Sequence, residues 1–184
     1  MGYIDIIFTS VALSMDAAAV SICKGLSIKK MSYKKSFIIV TYFSVFQMFM
    51  PFIGYIFANT FSSAIVAVDH WIAFILLFII GADMIRDSLS GNNEVDDKID
   101  VKTMILLAIA TSIDALVVGI TFAFLNVNLL FAILVIGIIT FTITFIGTRI
   151  GNKFGRKYEN KATIFGGIVL IYMAIEILFD HLFT

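Results

Sequence analysis

Charge is what this chain has least of. Only 14% of its 184 residues are Asp, Glu, Lys or Arg, and 60% are hydrophobic, whereas a soluble domain carries about a quarter charged residues and roughly half apolar ones. With a mean hydropathy of +1.03, there is too little polar sequence to cover a globule. A soluble enzyme, a disordered chain and a nucleic-acid binder are excluded. The thirteen basic and thirteen acidic residues cancel, so no net field draws polyanions. One cysteine, Cys23, rules out an internal disulfide, and one proline, Pro51, leaves room for long helices. The N-terminal apolar run has no basic residue ahead of it, contains Asp16 and is long enough to span. A retained first helix is therefore expected in place of a signal peptide.

A spanning helix needs about 20 mainly apolar residues to cross roughly 30 Å of hydrocarbon. Six runs qualify, at residues 4–23, 36–58, 69–89, 103–125, 128–148 and 162–182. They are continuous and lack the alternation of a transmembrane β-barrel. All thirteen Lys and Arg fall in three alternate connections, from Lys24 to Lys35, Arg86 to Lys102 and Arg149 to Lys161. The positive-inside rule makes those connections cytoplasmic and puts both termini outside a cell membrane. Trp71, beside Asp69 and His70, then falls where an outer interfacial anchor belongs.

The chain repeats itself. Ser14-Met15-Asp16-Ala17 returns as Ser112-Ile113-Asp114-Ala115, 98 residues on, and Phe52-Ile53-Gly54 returns as Phe145-Ile146-Gly147, 93 residues on. The second offset also relates Asn59 to Asn152 and Asp83 to Glu176. Two three-helix units, 1–90 and 103–184, are thus joined by a polar cytoplasmic linker, 91–102. Three spans is an odd number, so the copies must lie upside down relative to each other. The predicted fold class is all-α integral membrane, six transmembrane helices as two inverted three-helix repeats, a pattern typical of secondary transporters. Phase agrees with the pairing. Ile4, Phe8, Val11, Met15 and Ile22 form a bulky stripe suited to lipid, and Ser10, Ser14, Ala17 and Ser21 a small one suited to close packing. The matching stripes of the second copy are Leu106, Ile109, Ile113 and Ile120, and Ala108, Ser112, Ala115 and Gly119.

Asp16 and Asp114 lie eleven or twelve residues into their spans, some 16–18 Å deep at about 1.5 Å per residue. An aspartate at that depth costs about 2.5–3.5 kcal/mol, and no basic residue stands at matching depth to offset it. A cation or proton site is the expected return. Asp83 and Glu176 form a second related pair, with Arg86 one turn from Asp83 and no such partner beside Glu176. Gln47 and Asn126 add neutral oxygen donors. Carboxylate, amide, hydroxyl and carbonyl oxygens are hard ligands suited to Mg, Ca or Mn. The absence of a His and Cys cluster argues against zinc or copper. Met15, Met48 and Met50 read as filler, and His70 and His181 as surface anchors. The Gly147, Gly151 and Gly155 pattern suits helix packing, and oligomeric state is left open.

Five stretches, SMDAAAVSICKG, FQMFMPFIG, DHWIAFILLFIIGADMI, ATSIDALVVGITFAFL and GGIVLIYMAIEILFDHL, together resemble the MntP-type manganese efflux pumps, a group similar in plan to the LysE-like exporters. The resemblance covers the whole chain. It implies export of Mn2+ from the cytoplasm, with Asp16 and Asp114 as the principal functional acids and Mn2+ as a transported substrate with no cofactor. The expected metal-site residues are Asp16, Asp114, Glu176, Asp83 and Gln47. Moving a divalent cation out against a negative-inside potential costs about 4.6 kcal/mol per 100 mV. The glycines and Lys153 after Phe145 lack Walker spacing, so proton antiport is the expected source, with protons and the bilayer as the other partners. A passive divalent-cation channel is the alternative reading. An intramembrane aspartyl protease is disfavoured, because neither Ser112-Ile113-Asp114 nor Gly81-Ala82-Asp83 has the GxGD form that such proteases share.

Overall fold

In hydrocarbon a backbone must satisfy its own polar groups, and a continuous apolar run does so as a helix. The computed structural model describes residues 3–28, 31–89, 100–125, 127–158 and 160–183. They form six helices: α1 (Tyr3–Ser27), α2 (Tyr33–Leu89), α3 (Val101–Ala110), α4 (Ile113–Phe124), α5 (Leu129–Tyr158) and α6 (Asn160–Phe183). Among the described residues there is no strand. Among the described residues three helical stretches are long and apolar enough to cross a membrane, Tyr3–Ser27, Tyr33–Ala58 and Leu129–Gly155. The pair α3 and α4, bent by 44° at its break, makes a fourth. The remaining two expected spans, 69–89 and 162–182, are also helical, the latter around the shorter apolar run Thr163–Glu176. The bulky side chains of Ile4, Phe8 and Met15 are exposed on α1, as a lipid-facing stripe requires. The chain is an all-helical, multi-pass membrane protein.

Two features differ from the simple six-rod expectation. The connection foreseen near residues 59–68 is helical, and α2 runs from Tyr33 to Leu89. From Tyr55 to Ile80 the sequence has no glycine or proline to stop a helix. Yet α2 cannot be straight. Tyr33 lies under the Arg149 guanidinium, 3.7 Å away, close to where α5 packs on α1 through Gly147 and Gly151. Met84 reaches the same level from the other end, meeting Gly166 beside Cys23 of α1. A straight helix would separate Tyr33 from Met84 by roughly 75 Å, so the two arms of α2, Tyr33–Ala58 and residues 71–89, fold back toward one end of the bundle.

The second difference is the break between α3 and α4 at Thr111 and Ser112. Both hydroxyls bond back to the preceding turn, Thr111 Oγ1 to the Leu107 carbonyl (3.0 Å) and Ser112 Oγ to the Ala108 carbonyl (2.6 Å). Such bonds bend helices. In α1 the corresponding pair is Leu13 and Ser14, with one hydroxyl, which donates to the Ser10 carbonyl, and α1 stays whole.

Helices meet through small residues. On α5, Gly147, Gly151 and Gly155 face the backbone of α1 from Ala18 to Leu26 so closely that a Cβ on Gly151 would strike the Ile22 carbonyl. The seam continues through Ser14 Oγ and Thr140 Oγ1, 2.8 Å apart. The first arm of α2 meets α4 in the same manner: a Cβ on Gly54 would strike the Leu116 carbonyl, and one on Gly119 the Pro51 backbone. The second arm meets α6 through Gly81 and Gly167, each of whose Cβ positions would contact the other's carbonyl, at 2.8 and 2.7 Å. Ser44 Oγ donates to the Gly137 carbonyl (2.8 Å), joining α2 to α5. The small stripe Ser10, Ser14, Ala17 and Ser21 is buried, as is its counterpart Ala108, Ser112, Ala115 and Gly119. Ile120, expected to face lipid, is buried instead, because its backbone closes on Gly54.

Candidate metal centre

Asp16 stands in the middle of α1, half-buried, three residues after Leu13 and so on a neighbouring part of the same face. Leu13 holds the next component. Gln47 is fully buried on the first arm of α2 and donates its Nε2 hydrogen to the Leu13 carbonyl (2.9 Å). Its Oε1 is buried without a hydrogen-bond partner. Pro51, four residues on, has no N–H to give the Gln47 main-chain carbonyl. Gln47 therefore carries an amide oxygen and a carbonyl, both hard donors, lacking their usual protein partners. Leaving a buried acceptor unsatisfied costs about 1–3 kcal/mol, a cost that a bound cation removes.

Glu176, on α6, interacts electrostatically with Asp16. Its side chain is exposed, unlike that of Asp16. Two like carboxylate charges repel, and a cation lying with them relieves the repulsion. Asp114 belongs to the second half of the chain. It is half-buried in the first turn of α4, immediately past the break, and its Oδ1 accepts the Ala115 N–H at 2.8 Å. Ala110, at the end of α3, shares a buried cluster with Ala17, and Ala115 shares another with Leu13. The break and the stretch of α1 that carries Asp16 thus border the same two buried cores. At the end of α3 the Leu107, Ala108 and Ile109 carbonyls accept from Thr111 and Ser112, and the negative end of the helix dipole lies at this level.

Asp83 is placed elsewhere. It is exposed on the second arm of α2, its Oδ1 3.9 Å from Arg86 Nη1, and it lines a separate cavity with Lys24. Of the five expected ligands, then, Asp16 and Glu176 interact electrostatically, Gln47 is bonded to Leu13, three residues before Asp16, Asp114 follows the α3/α4 break, and Asp83 lines the Lys24 cavity. Among the described residues no three His, Cys, Asp or Glu side chains converge as a metal cluster. Asn126, and the side chains of Asp69, His70, Asp180 and His181, lie outside the described residues, as does most of the linker 91–102. Met15 is exposed, and the Met48 thioether packs where a Gly137 Cβ would stand; neither faces an acid in the described contacts.

Sequence reasoning missed the break itself. Its signal was present: two adjacent hydroxyl residues, Thr111 and Ser112, stand before the second aspartate, against one before the first. It also missed the Lys24 cavity, because every lysine was assigned to the cytoplasmic surface by charge alone.

The family model described as "Putative manganese efflux pump" matches residues 30–178. The chain is 55% identical to a protein of Campylobacter jejuni subsp. jejuni (serotype O:23/36, strain 81-176), covering all of this chain and 99% of that one. It is 50% identical to one of Acetivibrio thermocellus, over 99% of this chain and 93% of that one, and 49% identical to one of Desulfitobacterium hafniense, over 99% and 97%. Each of these three is named "Putative manganese efflux pump MntP". No solved structure is significantly similar.

Proposed function

We propose, on the premise that this chain belongs to the MntP family of manganese efflux pumps, that it exports Mn2+ from the cytoplasm by proton antiport through a site at the α3/α4 break. The protein is a transporter and not an enzyme, and Mn2+ is its substrate. What remains is how six helices move the ion.

One observation carries the reading: the helix contacts come in pairs that exchange the two halves of the chain. Gly147 packs on the Ala18 carbonyl and Ile22, and Gly54 packs on the Leu116 carbonyl and Ile120. Adding 98 to Ala18 and Ile22, and subtracting 93 from Gly147, gives the second set from the first. Gly81 and Gly167 meet where the second arm of α2 crosses α6. These pairings support two inverted three-helix repeats, with α2 supplying the second and third spans of the first repeat. Inverted repeats place the substrate site at their interface, often where a helix is discontinuous. The break before Asp114, bordering the same buried cores as the middle of α1, fits that position.

The cycle then follows from charge. A carboxylate removed from water is stable as an ion only beside a cation, and otherwise takes a proton. Mn2+ arriving from the cytoplasm displaces protons from Asp16 and Asp114, while Gln47 offers oxygen donors that need no proton exchange. Rocking of one repeat against the other opens the site outward, where protons rebind and the metal leaves. The basic ends of the helices, including Lys24, Arg86 and Arg149, mark the cytoplasmic side, and both termini lie outside.

The test is Mn2+ accumulation in inside-out proteoliposomes with an imposed proton gradient, comparing wild type, Asp16→Asn and Asp114→Asn. Gradient-driven accumulation in the wild type, lost in both variants, is expected. Rapid equilibration without accumulation would mean a channel. Accumulation unchanged when the pH gradient is collapsed at fixed voltage would remove proton coupling.

A further inference from the structure

At the basic end of the bundle, α1, α3, α6 and the second arm of α2 enclose a cavity of about 190 Å³. Its polar wall is Lys24, Asp83 and Thr103, and Val20, Met84 and Leu170 are among its apolar residues. Val20 lies one turn from Asp16 and one turn from Lys24, so on α1 the cavity ends a single turn short of Asp16. Lys24 itself is about 12 Å along α1 from Asp16.

The charges are unevenly fixed. Asp100 is held at the start of α3, its Oδ2 accepting from the Thr103 N–H (2.8 Å) and hydroxyl (2.5 Å), and it interacts electrostatically with Lys24. Asp83 lines the same cavity, and its partner Arg86 is 79% exposed on the water side. One flexible ammonium is therefore set between two carboxylates on different helix positions, Asp83 on the second arm of α2 and Asp100 at the start of α3. A lysine in the last turn of a helix ordinarily complements the dipole with its head in water. Here it lines the cavity through which an ion from the basic side would reach Asp16.

We infer that this cavity is the cytoplasmic vestibule of the transport site and that Lys24 is its specificity-determining charge, a tethered cation that a divalent ion displaces and a monovalent ion does not. The inference rests on the export reading above. A tethered ammonium has the advantage of a high effective concentration, and it gives the vestibule carboxylates the same unit charge that K+ would bring. K+ therefore gains nothing by replacing it. A divalent ion interacts twice as strongly with the same carboxylates and drives the flexible stem aside. The vestibule discriminates by charge before the ligands of the transport site discriminate by geometry.

The experiment uses the full chain in inside-out proteoliposomes, with Mn2+ uptake measured in K+ or in N-methylglucamine on the cytoplasmic side. For the wild type, KM is expected to be the same in both media. For Lys24→Gln, KM falls roughly tenfold in N-methylglucamine, K+ becomes a competitive inhibitor, and kcat changes less than about twofold. Lys24→Arg keeps the charge and stays insensitive to K+. Asp100→Asn, which retains a capping side chain but makes the vestibule less negative, raises KM; this variant carries the test if Lys24→Gln does not reach the membrane. Normal wild-type transport together with an unchanged KM and no K+ sensitivity in Lys24→Gln, or an unchanged KM in Asp100→Asn, overturns the inference alone. No Mn2+ transport by the wild type overturns the export reading and this inference with it.

Discussion

Gly54 and Gly147 stand at related points of the two halves, and replacing each by alanine separates what the halves share from what they do not. At Gly54 the three nearest atoms to an added Cβ are all backbone: the Leu116 carbonyl oxygen, its carbon at 3.0 Å and the Ile120 nitrogen at 3.1 Å. None of these can move without shifting α4 away from α2. At Gly147 the nearest atom is the Ser21 hydroxyl, which can rotate away, followed by the Ala18 carbonyl at 3.2 Å and Ile22 Cγ1 at 3.3 Å. Overpacking that forces backbone movement costs about 1–3 kcal/mol. Gly54→Ala is expected to fall in that range. Gly147→Ala should cost less than about 1 kcal/mol, because losing one hydroxyl bond to the Ala18 carbonyl is worth only about 0.5–1.5 kcal/mol and alanine recovers part of that through its better helix propensity. Reversible unfolding of the purified protein in bicelles, followed by tryptophan fluorescence from Trp71, measures the difference. Equal destabilisation by the two substitutions, or a larger loss at Gly147, would refute the argument that backbone contacts at Gly54 set the α2–α4 spacing.

Gln47→Leu is expected to separate stability from transport. It removes an unsatisfied buried oxygen and one hydrogen bond, leaving unfolding free energy within about 1 kcal/mol of wild type, while the KM for Mn2+ rises tenfold or more in proteoliposomes; a variant with normal KM would take Gln47 out of the site. Asp100 gives a pH prediction. Hydrogen bonds from the Thr103 hydroxyl and amide, together with Lys24, hold its carboxyl below the usual aspartate range. Its contribution is therefore fully present above the unfolded aspartate value and is lost as pH falls through the lower folded one. Amide exchange at Thr103, taken relative to Asp100→Asn at each pH, should accelerate only in that acidic window, and a constant ratio would sink the assignment.

Much of this was legible because lipid simplifies the code. An apolar run of about 20 residues has few options other than a helix, and bulky residues such as Ile4, Phe8 and Met15 face outward because nothing in a membrane rewards burying them. The small stripes Ser10–Ser21 and Ala108–Gly119 were equally readable, since close approach needs small side chains. The failures have physical causes too. Ile120 reads as lipid-facing by phase, but α2 crosses α4 at Gly54 and covers it. The helical join between the arms of α2 was read as a loop because polarity stood in for a breaker, and Asn59, Ser62 and Ser63 do not break a helix. The α3/α4 break depends on cooperation between the two hydroxyls of Thr111 and Ser112, which single-residue propensities do not capture. For Asp83 the sequence offered Arg86 one turn on as a partner, and the structure has the two 3.9 Å apart at the rim of the Lys24 cavity.

The seam between α1 and α5 has a consequence for how the protein is made. The partner that buries Ser10, Ser14 and Ser21 is synthesised only after α2, α3 and α4, a wait of roughly 5–20 s at ordinary translation speeds. Throughout that interval α1 must live in the bilayer with its packing face uncovered. It is equipped to do so, because each serine hydroxyl donates to a carbonyl of its own helix, to Ile6, Ser10 and Ala18 respectively. No donor is left bare in lipid, and none needs α5 to be satisfied. When α5 arrives, Ser14 meets Thr140 across the seam, and the remaining contact is backbone against glycine. The same hydroxyls that let α1 wait alone are small enough to let it dock.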